Sequence, residues 1–87
     1  MNEISELNNW KEKDGKLCKE FRFSNFIESF GFVTRIALES EKKNHHPDIT
    51  ISYDKVSIEL ITHDINKISE KDIDLAKSID KLNKSST

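Results

Sequence analysis

The chain has 87 residues, 34% hydrophobic and 34% charged, enough for one small domain with one modest core and not for two. Fourteen basic residues stand against 16 acidic ones for a formal net charge of −2, with lysines scattered among acids, so no basic stripe tracks a nucleic-acid backbone. No apolar run approaches the ~20 residues of a membrane helix, and the single cysteine, Cys18, excludes an internal disulfide and fits a reducing compartment. The acidic start Met1-Asn2-Glu3-Ile4-Ser5-Glu6 does not read as a signal peptide. A cytoplasmic, soluble protein with no nucleic-acid or membrane partner is expected. A domain of this size is marginal alone, which favours a homo-oligomer.

Residues 1–8 carry Ile4 and Leu7 as a minimal apolar pair, expected to be loose or to make one short helical turn. From Trp10 to Phe23 the sequence reads as a hairpin turning at Asp14-Gly15, because glycine tolerates the positive φ of a tight turn. Leu17, Phe21 and Phe23 share one parity and should face the core, while Cys18, Glu20 and Arg22 take the other face. Nothing beside Cys18 in sequence lowers its pKa, so an inert thiol is expected.

Asn25 with Glu28 three residues on fits a helix cap. Phe26, Phe30, Val33 and Ala37 recur at helical spacing and predict the core face of a helix running to about Lys43. Gly31 inside it suggests close packing against another element. Lys42 and Lys43 complement the dipole at its C-terminal end, and Pro47 prevents continuation. Asp48–Tyr53 alternates, with Ile49, Ile51 and Tyr53 pointing one way. Asp54-Lys55 is the expected turn. Val56–His63 alternates again, with Val56, Ile58 and Leu60 inward and Ser57, Glu59, Ile61 and His63 outward. After the loop from Asp64 to Lys67, Ser69 caps a second helix with Asp72 at the capping-box position and Ile68 and Ile73 as a staple. Leu75, Ala76, Ile79 and Leu82 continue its apolar face, and residues 83–87 are a polar tail expected to be loose. The sum is ββαββα: one domain over residues 1–87, α+β, with a single four-stranded antiparallel sheet and two main helices packed on one face.

The three histidines converge in this scheme. His45 and His46 follow the first helix, and His63 ends the last strand on the parity opposite to the core. They are expected to meet on the sheet face that carries no helices, provided no bulge flips the parity. Three readings stand side by side: surface histidines at strand ends, a three-histidine metal site, and metal-free acid–base catalysis, with one imidazole donating a proton and another accepting one. Adjacent His45 and His46 diverge in extended chain and suit a shared ion poorly.

The run Glu41, His45-His46-Pro47, Tyr53, His63 and Asp72, at its particular spacing, resembles the signature of the pterin-4a-carbinolamine dehydratases. The flanks Phe21-Arg22-Phe23-Ser24-Asn25-Phe26, Tyr53-Asp54-Lys55-Val56, Thr62-His63-Asp64 and Asp72-Ile73-Asp74-Leu75-Ala76 match as well, so the resemblance spans residues 10–82. It implies dehydration of a 4a-hydroxytetrahydropterin to a quinonoid dihydropterin, without metal or other cofactor, in a homodimer or homotetramer within tetrahydropterin recycling. His45, His46 and His63 would line the pterin site, His45 and His63 as the proton-transfer pair and His46 mainly for binding. Asn44, Thr62 and Asp64 would hydrogen-bond the pterin, Glu41 would support the site from the helix end, and Asp72 would sit near the ring. The resemblance also implies a second reading, a non-catalytic module acting as a dimerisation cofactor for a transcription factor through a helix surface. There are two departures from the family pattern: Ile49, where many relatives have Trp, and Asn66-Lys67, where relatives commonly have Gly-Gly.

Overall fold

The computed structural model describes residues 7–85. Its elements are β1 (Lys11–Lys13), β2 (Lys16–Arg22), α1 (Phe26–Lys43), β3 (Asp48–Ser52), β4 (Lys55–Leu60) and α2 (Glu70–Ser85). The strands form one antiparallel sheet in the order β1-β2-β4-β3. Leu17, Phe21, Val56, Ile58 and Leu60 share its inner face and join Phe32 and Ile36 of α1 and Ile73, Leu75, Ala76 and Ile79 of α2 in one buried cluster. The other face carries Cys18, Glu20, Ser57 and Glu59, all partly or fully exposed. Both helices therefore pack on one side of the sheet, as the alternation predicts.

The first hairpin turns at Asp14 (φ 54°) and Gly15 (φ 78°), the pair of positive φ values that matches the twist of the flanking strands. The second turns one residue earlier than expected. Ser52 pairs with Lys55, so Tyr53-Asp54 is the loop and Tyr53 takes φ 52°. Tyr53 leaves the row of Ile49 and Ile51 and is 62% exposed. The Asp54 carbonyl meanwhile accepts the Phe23 N–H at 2.8 Å, tying this turn to the end of β2. β2 and β4 pair at the centre of the sheet, with Leu17 opposite Leu60 and Phe21 opposite Val56.

α1 begins as the sequence predicts. The Asn25 side chain accepts the Glu28 N–H at 2.9 Å, and the Glu28 carboxylate accepts the Ser24 N–H at 3.1 Å. Its core face differs from the expected one. Ser29, Phe32, Ile36 and Ser40 are buried, while Phe26 and Phe30 are about half exposed and Ala37 is exposed; Val33 alone of the expected set packs partly against the core. Apolar side chains are spread around this helix, so two stripes have helical spacing. The sheet covers the one with serines at both ends. Both hydroxyls are satisfied within the helix, by the Asn25 carbonyl at 3.1 Å and the Ile36 carbonyl at 2.7 Å. Among the described residues, no other element packs on Gly31: the nearest atom to a Cβ there is Nη1 of its own Arg35, at 3.6 Å.

The N-terminal segment is anchored from Leu7, which is buried with Trp10; residues 1–6, with the expected helical turn, lie outside the described residues. The Trp10 indole N–H reaches both oxygens of Asp80 at 3.1 Å, and the Lys19 ammonium lies 2.8 Å from the same carboxylate and 4.8 Å from the Phe21 ring centre. α2 continues through Asn83 to Ser85, beyond the point where a loose tail was expected. No helix among the described residues is long and apolar enough to cross a membrane.

Candidate active site

α1 ends at the edge of the candidate site. Asn44 takes the left-handed conformation (φ 54°, ψ 43°) that asparagine tolerates better than most residues. Its N–H turns back to the Glu41 carbonyl at 3.3 Å, and the His45 N–H to the Ser40 carbonyl at 3.1 Å. This reversal carries His45 toward the start of α2. Between β4 and α2, a closed turn brings Thr62 opposite Lys67, with Thr62 N–H on the Lys67 carbonyl at 3.0 Å and Asn66 N–H on the His63 carbonyl at 3.3 Å. Asn66 supplies the positive φ, 55°, that this turn needs, so Lys67 does not have to.

A cavity of about 270 Å³ lies where these segments meet, lined by Asn44, His45, His46, Thr62, His63, Asp64 and Lys71. All three histidines line it, but not on the open sheet face. β4 ends at Leu60, Leu60 and Ile61 are both buried, and strand parity stops there. The site sits at the end of the sheet, between the C-terminus of α1 and the N-terminus of α2.

The anchor of the site is Asp72, which is fully buried. Its Oδ1 accepts the His45 Nε2–H at 2.5 Å; its Oδ2 accepts the Thr62 hydroxyl at 2.8 Å and the Ser69 N–H at 2.9 Å. With the Thr62 proton committed to Asp72, the Ser69 hydroxyl must donate to Thr62 Oγ1, 2.5 Å away, while accepting the Lys71 N–H at 3.2 Å. Three donors on one buried carboxylate meet the need of its charge. The Ser69–Asp72 capping box expected for α2 is present, and its carboxylate also orients a histidine. A carboxylate oxygen accepts, so this contact turns His45 Nε2 toward Asp72 and leaves Nδ1 with no partner among the described residues. His46 is held the same way at the exposed rim, its Nε2 2.6 Å from Glu41 Oε2. Neither Asp72 nor Glu41 lines the cavity: each stands behind a histidine. His63 is exposed in its turn, with no side-chain partner among the described residues. Among the described residues, no group of three His, Cys, Asp or Glu side chains is placed to hold a metal ion. Lys71 was not among the residues expected here, because a lysine in the first turn of an amphipathic helix reads as surface.

A ββαββα domain with a cluster of histidines, one of them anchored by a buried carboxylate at the junction of its two helices, places a small polar cavity on an α+β scaffold. The sequence profile of the family described as "Pterin 4 alpha carbinolamine dehydratase" matches residues 1–82, and the chain belongs to that family. It is 50% identical over 84 residues to a protein of Prochlorococcus marinus named "Putative pterin-4-alpha-carbinolamine dehydratase", covering 92% of this chain and 88% of that one. A protein of Mycobacterium leprae with the same name is 44% identical over 79 residues, covering 91% and 84%. Among solved structures, a transcriptional coactivator/pterin dehydratase from Brucella melitensis superposes with a TM-score of 0.89 at 31% identity, covering 93% of this chain and 88% of that one. A pterin dehydratase-like protein described as a RuBisCO assembly factor in the alpha-carboxysome gives 0.74 at 26% identity, covering 86% and 89%.

Proposed function

We propose that this protein dehydrates a 4a-hydroxytetrahydropterin to the quinonoid dihydropterin and water, in tetrahydropterin recycling. The observation that carries the reading is His45 held by buried Asp72 in a cavity shared with His46 and His63. The reaction needs one proton delivered to the departing 4a-hydroxyl and one removed from N5. Neutral His45 takes the N5 proton on Nδ1, and the imidazolium so formed is stabilised by the carboxylate on its other nitrogen. His63, protonated, gives its proton to the hydroxyl, which leaves as water as the C4a–O bond breaks and the N5 electron pair forms the new double bond. Solvent restores both protonation states. Each such proton transfer by a positioned side chain is typically worth about 10²–10⁴-fold. His46, Asn44 and Asp64 hold the pterin, with Glu41 fixing His46. Thr62 lines the cavity, but its hydroxyl is committed to Asp72, which leaves its backbone for substrate.

The test is the dehydration rate of a 4a-hydroxytetrahydropterin generated in situ, with and without purified protein. Acceleration that survives chelator is expected; no acceleration ends the reading. Self-association belongs to the same proposal. It is supported by the small core and by Ile27, Phe30 and Leu38, all exposed on α1. That surface also favours a second reading, an interaction module for another protein, as the names of the two structural neighbours describe for those proteins. A free cysteine and no disulfide partner suit the cytoplasm.

A further inference from the structure

Among the described residues, Lys71 is the one lysine or arginine lining the histidine cavity. It stands in the first turn of α2, next to Asp72. A cation there opposes the helix dipole. No carboxylate compensates it: among the described residues nothing engages the Lys71 ammonium, and of the lysines in that condition Lys67 and Lys77 do not line the cavity. The fold gains nothing from a positive charge at this position, while the cavity acquires one.

The reaction restricts what that charge can serve. Loss of the 4a-hydroxyl places positive charge on the N5–C4a system, so an ammonium against the ring would oppose the bond-breaking step. The lysine stem is long and the residue is exposed, so its charge can meet a substituent that projects from the cavity without lying against the ring. Asp64, the acidic residue of the lining, suits the N–H donors of the pyrimidine ring instead. We propose that Lys71 determines specificity by holding an anionic group, a phosphate ester or carboxylate, on the C6 substituent of the pterin. This rests on the dehydratase reading and adds to it a class of substrate, pterins with an anionic tail.

The experiment titrates the full chain, by fluorescence, with two stable 7,8-dihydropterins: one with an uncharged hydroxyalkyl substituent at C6, the other its phosphate ester. Wild type, Lys71→Gln, Lys71→Arg and, as a control outside the cavity on the same helix, Lys77→Gln are compared. Wild type should prefer the ester by roughly tenfold, as a charge-assisted hydrogen bond to phosphate allows. The preference should survive Lys71→Arg and Lys77→Gln, weaken at high salt and fall to about unity in Lys71→Gln. Equal affinity of the wild type for the two pterins, or a preference that survives Lys71→Gln, overturns this inference and leaves the dehydratase reading standing. Failure to bind either pterin, together with no dehydration, overturns both.

Discussion

His45 and His63 are unequal in what they do for the fold. His45 satisfies one oxygen of a fully buried carboxylate. His45→Ala should therefore cost about 1–3 kcal/mol of stability, the penalty for an unpaired buried acceptor, as well as turnover. His63 sits in an exposed turn, so His63→Ala should stay within about ±0.5 kcal/mol while turnover falls by about 10²–10⁴. Thermal denaturation and steady-state rates on both variants test this; equal destabilisation by the two would contradict the geometry. Asp72→Asn keeps the volume but loses the charge that stabilises the His45 imidazolium. It should lower kcat by at least about tenfold, the smaller end of a charge-assisted hydrogen bond, with KM changing much less. A purely structural Asp72 would move Tm and leave the kcat of the folded fraction intact. Cys18 gives a separate check. Burial and then the Glu59 carboxylate push its thiol above the ordinary value, against smaller opposing effects of Lys13 and Lys16. A raised pKa means less thiolate at neutrality, so iodoacetamide at a pH of about 8, near the ordinary thiol pKa, should label Cys18 more slowly in the native protein than in the unfolded one.

Among the elements, the caps were legible because each is a contact within four residues. Asn25→Ala should cost about 1 kcal/mol, read from urea denaturation, because it removes the acceptor for the Glu28 N–H. The face of α1 was not legible. Phe26, Phe30, Val33 and Ala37 satisfy the helical period as well as Phe32 and Ile36 do, and periodicity cannot tell which stripe the sheet will cover. Two serines made the buried stripe look polar. The second turn slipped by one residue because Asp54-Lys55 and Tyr53-Asp54 are both acceptable locally; the strand register and the Phe23 N–H on Asp54 chose between them.

The whole molecule leaves a line of apolar side chains opposite its core: on α1, Ile27 is 82% exposed and Leu38 68%. Exposed apolar surface of this kind commonly marks an interface. Sedimentation at micromolar concentration should give a dimer or tetramer, and Leu38→Glu should shift the mass toward monomer; a wild type that is monomeric would remove self-association from the proposal.

Sequence alone determined the number of strands and helices, their caps and the ββαββα order, since alternation, helical period and turn chemistry are local properties. It also named the three histidines and, through the spacing of the family signature, the pterin class. Tertiary structure decided the rest. The β2–β4 pairing at the centre of the sheet joins segments about forty residues apart, which no local rule links. The site lies at the end of the sheet, and not on its open face, because β4 stops at Leu60 and the chain then closes on itself between Thr62 and Lys67. Asp72 stands behind His45 and away from the cavity because its carboxylate, already turned inward to cap α2, lies where the left-handed Asn44 delivers the imidazole. A local cap thus became a long-range histidine anchor, because burial brings together in space donors that lie far apart along the chain.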